Sequence, residues 1–301
     1  MKGKNRIETM KKLTFVGLLG LLLLQLPAMA QEKTRFNYAI KDTDTLYMDH
    51  YKPVGKSNGI SVMFIHGGAF EGGHPDNQKP MADGLCKLGY RVFVISYRLY
   101  LKGVGFGCNT TTPEKLKAVR LAVEDAADAT KYLYANAREL GIDTTKLVLA
   151  GSSAGAETAL QLLFNPYEKK DKARYEFFGR QKFAASMIFA GAVLDMNTVK
   201  EDKWTPMLLM HGTKDQLVPY GTAAHRFCTA NDAGWLMMFG AKTIYEKAQE
   251  MNKPCILYTY EGKGHEISGK MFSEFAKMDE FMKSAVAGTM NGQQSVVIPA
   301  Q

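Results

Sequence analysis

From residue 31 onward the chain repeats one unit: a short apolar run, a turn, then a helical pattern. Apolar runs rich in β-branched and aromatic residues occupy 60–65, 91–97, 147–150, 185–190, 207–211 and 255–260. None alternates between apolar and polar, so each reads as a strand covered on both faces. Between them, helical patterns fall at 79–88, 113–140, 154–163, 221–227, 242–250 and 273–287. This order predicts an α/β fold with a mostly parallel central sheet and helices on both faces. An earlier pair, 36–40 and 45–52, does alternate and predicts an antiparallel hairpin at one sheet edge. No internal repeat or Pro/Ser-rich linker interrupts the pattern. The expectation is one domain over 31–287 and a flexible tail over 288–301.

The first thirty residues follow another rule. Lys2, Lys4, Arg6, Lys11 and Lys12 precede an apolar run at 13–26, and Ala28-Met29-Ala30 places small residues where a signal peptidase cuts. The run is shorter than the roughly 20 residues a membrane span needs, and no cysteine follows it to carry a lipid. Residues 1–30 are thus expected to be a signal peptide, with export of the remainder and no membrane span after cleavage. That cleavage removes five basic and one acidic side chain, lowering the formal charge from +8 to +4. So small an excess, with no basic stripe interleaved with aromatics, argues against a nucleic-acid partner.

Export makes disulfides permissible, and the four cysteines allow three pairings that the sequence does not separate. Cys86 lies in a helical pattern and Cys255 opens an apolar strand, as buried thiols do. Cys108, in a Gly-rich loop, and Cys228, beyond Asp215, are favoured for a bridge. No Cys-x-x-Cys pair suggests zinc.

The sharpest chemical signal is Gly151-Ser152-Ser153-Ala154-Gly155, between an apolar strand and a helical run. A serine on such a turn is projected above the sheet edge, and the flanking glycines have no Cβ to collide with neighbours. Attack on a carbonyl by Ser153 needs donors for the developing negative charge. His66-Gly67-Gly68-Ala69-Phe70 follows the first parallel strand, and the N–H groups of Gly68 and Ala69, with that of Ala154, are candidates for an oxyanion hole.

Of six histidines, His265 in Gly262-Lys263-Gly264-His265-Glu266 follows the last predicted strand, where a side chain can reach across the sheet edge, and is the candidate base. His66 and His211 each end a strand and are expected to orient loops. His225 lies in a helical pattern, and His74 is near enough to the oxyanion loop to touch substrate. Asp215, just after the strand at 207–211, is the candidate acid, with Asp195 as the alternative.

These motifs resemble the α/β-hydrolase superfamily, within it the branch of hormone-sensitive-lipase-like and bacterial carbohydrate or feruloyl esterases. The resemblance runs from about Tyr38 to Ala285 and includes Tyr97-Arg98-Leu99 and Asp125 on the long helix. It implies ester hydrolysis through an acyl-enzyme by Ser153, Asp215 and His265, with no metal or cofactor, and structural roles for Arg98 and Asp125. Ala69 replaces a glycine common in such oxyanion loops. No cap segment precedes the domain, and loops 103–112 and 165–182 are expected to line a pocket for a small or carbohydrate-linked ester, acetyl or feruloyl. Two other readings remain at this point: a prolyl-oligopeptidase-like peptidase, which lacks its propeller here, and a catalytically inactive binding module, which usually loses a triad member.

Overall fold

The computed structural model describes residues 33–41, 43–164 and 172–300, without the side chains of 173–175. The expected signal peptide, and 165–171 of the expected pocket loop, lie outside the described residues.

A nine-stranded sheet forms the centre. Strands β1 (Lys33–Lys41) and β2 (Asp44–Tyr51) make the antiparallel edge hairpin, with a register shift between Asn37 and Ala39. Six parallel strands follow: β3 (Ser61–Ile65), β4 (Arg91–Ile95), β5 (Leu147–Ser152), β6 (Ala185–Phe189), β8 (Met207–Gly212) and β11 (Cys255–Tyr260). The order across the sheet is β1-β2-β4-β3-β5-β6-β8-β11, followed by β12 (Gln293–Ile298) at the far edge.

Two helical layers cover it. Met63, Ile65, Phe93, Ile95, Leu147 and Leu149 pack against α2 (Thr112–Ala135), α4 (Ala154–Phe164) and α6 (Ala241–Glu250). Their strand neighbours Val62, Phe64, Val92, Val94, Val148 and Ala150 point the other way, onto α1 (Lys79–Lys87) and α7 (Phe275–Val286). Successive residues thus enter opposite cores, which explains why the strands read as unbroken apolar runs. Each of these Val, Leu, Ile, Met and Phe side chains contributes about 1.5–3 kcal/mol of burial.

Three expectations need correction. The tail is partly structured: β12 (Gln293–Ile298) pairs in parallel with β11 as the last strand. Gln293 donates to Lys253 O at 2.9 Å, and Ile298 rests on the second core. The expected helix at 221–227 is instead β9 (Thr222–Ala224) followed by a 3-10 turn, His225–Phe227. Arg226 and Phe227 have φ of +56° and +52°, which no right-handed helix admits. With β7 (Ala192–Val193) and β10 (Met237–Gly240), β9 forms a small antiparallel sheet.

The helix expected over 113–140 is divided. A capping box between Thr111 and Glu114 starts α2, and Asn136, whose Nδ2 donates to Tyr132 O, interrupts it before the single turn α3 (Ala137–Leu140). One further helix, α5 (Lys172–Arg180), precedes β6.

Arg98 and Asp125 tie the segment after β4 to α2. Asp125 is fully buried and accepts from Arg98 N at 2.8 Å and Nη2 at 2.6 Å. Breaking such a pair leaves one charge buried and uncompensated.

Candidate active site

Ser153 stands between β5 and α4 with φ +53°, a left-handed backbone costing roughly 1–2 kcal/mol for a side-chain-bearing residue. The glycines on either side make this turn possible. A Cβ on Gly151 would sit 2.3 Å from Gly155 O, and one on Gly155 would sit 2.1 Å from Ile65 O. The turn is held by Ser153 N donating to Phe189 O at 2.9 Å, while Ser153 O accepts from Ala156 N and Glu157 N.

The loop after β3 lies against it. A Cβ on Gly67 would fall 2.9 Å from Ser152 O and 3.0 Å from Ser153 Cβ, so only glycine lets the two segments approach. Gly68, Ala69 and Phe70 all have positive φ, and Phe70 is buried against Phe106 and Tyr97 as the loop's anchor. Gly68 O accepts from Glu71 N and Gly72 N. His66 shapes the start of this loop: Nδ1 is 2.7 Å from Gly67 O, and the ring stacks on Tyr97. Burial pushes the His66 pKa down to about 4, so its ring is neutral near pH 7.

Two further turns bring the remaining groups. A Cβ on Gly212, the last residue of β8, would meet Lys263 O at 2.4 Å, so the Asp215 and His265 turns are pressed together. Lys214 N donates to Lys263 O at 2.8 Å, and Gly262 N donates to Thr213 Oγ1 at 2.9 Å. His265 opens a 3-10 helix, His265–Phe272, which Ser152 Oγ holds by donating to Ser268 O at 2.7 Å.

The result is a chain of short contacts. Ser153 Oγ is 2.8 Å from His265 Nε2, and His265 Nδ1 is 2.7 Å from Asp215 Oδ2. An ionised carboxylate only accepts, so Nδ1 carries the hydrogen and Nε2 is left to accept from the serine hydroxyl. Asp215 Oδ1 accepts from Leu217 N at 2.8 Å and Val218 N at 3.0 Å. Burial alone would raise the Asp215 pKa, but hydrogen bonds from His211 and His265 outweigh it and hold the carboxyl well below the usual range. Ser153, His265, Gly68, Ala69 and Ala154 all line one cavity of about 470 Å³.

A search of solved structures finds close shape agreement with esterase 2 of the planctomycete Thermogutta terrifontis. Its butyrate-bound form is 19% identical with a TM-score of 0.60, covering 85% of this chain and 95% of that one. Its propionate-bound form is 20% identical with a TM-score of 0.59, covering 88% and 97%. The form phosphorylated by paraoxon gives 19%, 0.59, 86% and 95%. The chain has the α/β-hydrolase fold. Residues 48–188, just under half of the chain, also match the BD-FAE family model. A comparison with curated proteins gives no match.

The α/β-hydrolase fold thus brings Ser153, His265 and Asp215 together and leaves other candidates aside. Asp195 caps the 3-10 turn Met196–Thr198 by accepting from Asn197 N at 2.9 Å. His74 faces Tyr47, with its Nε2 2.6 Å from the phenol oxygen, and does not line the cavity. His225, placed in a helix by the sequence pattern, instead lies at the cavity wall beside Glu157.

Phe106 lines the cavity from the loop 103–112, as expected, whereas sequence reasoning missed Glu157, Arg226 and Met271 among the lining residues. Glu157 carried a signal: a carboxylate on a helix whose other residues are small, apolar or uncharged. Cys108 and Cys228 are joined as favoured, their Cα atoms 5.4 Å apart. Among the described residues these two sulfurs and Asp232 form the one cluster spaced for a metal, and the disulfide occupies both thiols.

Proposed function

We propose that this α/β-hydrolase is an exported serine esterase that cleaves short-chain or carbohydrate-linked esters, acetyl or feruloyl, through an acyl-enzyme. The aligned contacts from Ser153 Oγ to His265 Nε2 and from His265 Nδ1 to Asp215 Oδ2 carry the reading. In the first half-reaction Ser153 Oγ bonds to the ester carbonyl carbon while its proton passes to His265 Nε2. The carbonyl electrons move onto oxygen, facing the N–H groups of Gly68, Ala69 and Ala154. Collapse breaks the bond to the alcohol oxygen, which leaves with the proton from His265. Water then repeats the sequence on the acyl-enzyme, with His265 as base, and releases the acid. Asp215 stabilises the imidazolium formed twice per turnover.

Several observations support the finer points. The structural neighbour from Thermogutta terrifontis binds butyrate and propionate, which favours short acyl groups. The BD-FAE match favours the feruloyl-esterase-related branch. The Cys108–Cys228 disulfide suits an oxidising compartment, as export would provide, and no helix among the described residues is long and apolar enough to cross a membrane.

Covalent labelling tests the reading. A fluorophosphonate should add one phosphonyl group at Ser153, and Ser153→Ala should abolish both the adduct and hydrolysis of p-nitrophenyl acetate. A folded wild-type protein that takes up no label, or a Ser153→Ala variant with full activity, refutes it. Across p-nitrophenyl esters of two to ten acyl carbons, turnover should peak at the short end; a maximum at eight or more contradicts the short-chain assignment.

A further inference from the structure

Among the polar side chains around the Ser153 cavity that the hydrolytic steps leave unused are Glu157, His225 and Arg226. Glu157 follows Ser153 by one helical turn on α4, with its N–H bonded to Ser153 O, and is 2% exposed. His225, 4% exposed, and half-buried Arg226 come from the turn after β9. A carboxylate and an imidazole are costly to bury without good partners.

Those partners are incomplete here. Glu157 Oε1, His225 Nδ1 and Arg226 Nε are each buried with no hydrogen-bond partner among the described residues. His225 Nε2 stands 3.1 Å from Glu157 Oε1 but without the alignment of a hydrogen bond. Of eight such orphaned atoms among the described residues, four belong to residues lining this one cavity, the fourth being Gln78 Oε1. Orphaned buried polar atoms are rare, so their concentration around one space marks a place where something else completes them. The turn that carries two of them is fixed: His225 N donates to Leu236 O, Arg226 N to Leu217 O, and Cys228 is tied to Cys108.

We infer that Glu157, His225 and Arg226 form a specificity subsite for the hydroxyl groups of a polyol or sugar portion of the ester, which rests on the esterase reading above. A hydroxyl both donates and accepts, so one group can donate to the Glu157 carboxylate while another accepts from the Arg226 guanidinium. An anionic substituent would meet the Glu157 carboxylate, and a cationic one the Arg226 guanidinium. An alkyl chain would offer these groups no partner.

Two acetates of matched size, glycerol monoacetate and propyl acetate, test the subsite through the ratio of their kcat/KM values. The wild type should favour the glycerol ester by about tenfold or more, since a site built around hydroxyls rejects the analogue lacking them. Glu157→Leu and Arg226→Met, each checked for folding by its melting curve, should bring that ratio down toward unity. Arg226 is half-buried on a surface turn, so its variant remains informative if Glu157→Leu fails to fold. Xylitol should also compete with p-nitrophenyl acetate in the unaltered protein. Equal rates on both acetates, an unchanged ratio in the folded variants, or no competition by xylitol overturns the subsite and leaves the esterase reading intact. Hydrolysis of neither acetate, with no fluorophosphonate adduct at Ser153, overturns the esterase reading and the subsite with it.

Discussion

His211 and His265 meet at a single oxygen of Asp215: His211 Nε2 lies 3.3 Å from Oδ2, and His265 Nδ1 lies 2.7 Å from the same atom. His211 is fully buried and its Nε2 also approaches Val218 O at 3.1 Å, so it braces the carboxylate from inside the fold. The carboxylate is thereby kept charged and aimed at His265. In the proposed hydrolytic cycle this would orient His265 as the base and stabilise its protonated form.

Removing that charge should be costly. Asp215→Asn is expected to lower kcat by about 10³–10⁴-fold, because the amide favours the wrong tautomer of His265. His211→Phe removes only a brace and should cost roughly tenfold in kcat/KM, the worth of one hydrogen bond to a charged group. Steady-state kinetics on p-nitrophenyl acetate separate the two. If His211→Phe is as damaging as Asp215→Asn, His211 has a role beyond bracing.

His66 sets an acid limit on stability. Its folded pKa, about 4, lies below the ordinary 6.5 because the ring is buried, so the unfolded chain takes up a proton first as pH falls. Stability is unaffected by this group above pH 6.5 and declines between 6.5 and 4, by on the order of 3 kcal/mol at the lower end. Urea unfolding of the wild type and His66→Gln at pH 7 and pH 4.5 should show a smaller loss in the variant. Identical losses would mean that other groups govern the acid range.

The Cys108–Cys228 bridge joins two segments 120 residues apart, and both contribute cavity-lining residues nearby: Phe106 on one side, His225 and Arg226 on the other. Lys115, buried and donating to Gly234 O at 2.6 Å, braces the same corner. Cys108→Ser with Cys228→Ser should cost about 2–5 kcal/mol and lower Tm by roughly 5–10 °C. Because the bridge is beside the cavity and away from the Ser153–His265 contact, KM should rise more than kcat falls. An unchanged KM in the folded double variant would separate the bridge from the pocket.

Two glycines should differ sharply in their tolerance of the same change. In Gly155→Ala the added methyl would sit 2.1 Å from the backbone oxygen of Ile65, so no side-chain adjustment relieves it. A cost above ~4 kcal/mol and little soluble protein are expected. Gly107→Ala meets nothing within 4 Å and should stay within about 0.5 kcal/mol of wild type. Expression yield and thermal melting of the pair decide the matter; a stable Gly155→Ala protein would mean that β3 and α4 can move apart.

Much of this architecture was legible along the chain. The unbroken apolar runs of β3, β4 and β5 announced strands buried on both faces, and Phe36 to Lys52 alternated as an edge hairpin should. Gly151-Ser152-Ser153-Ala154-Gly155 located the sharp turn because its chemistry is local: only glycine fits where a Cβ would strike backbone. The favoured partner of Cys108 was also found, from its loop and the segment around Cys228.

Errors arose where pairing partners decided the outcome. The segment around Thr222 has a helix-compatible pattern, yet β10 offers it a strand edge and the left-handed Arg226 and Phe227 end any helix. Gln293 to Ile298 read as a tail because it is short and half polar. It becomes a strand because β11 presents an unpaired edge and a core face for Ile298.

Local sequence thus determined what each segment is able to be: which runs are strands with two buried faces, where a serine is lifted on a strained turn, and which residue types are available for proton transfer. The tertiary structure alone decided which of them meet. Asp215 and His265 are 50 residues apart and Ser153 a further 62 before Asp215, so their contact depends on β5, β8 and β11 ending at the same rim. The same holds for Glu157 and His225: along the chain the first is only the one charge in its helical run, and the second a histidine in a segment that reads as helical. Only the placement of α4 against the turn after β9 turns them into a shared, unsatisfied site, because hydrogen-bond partners are set by distance in space and leave no periodic trace along the chain.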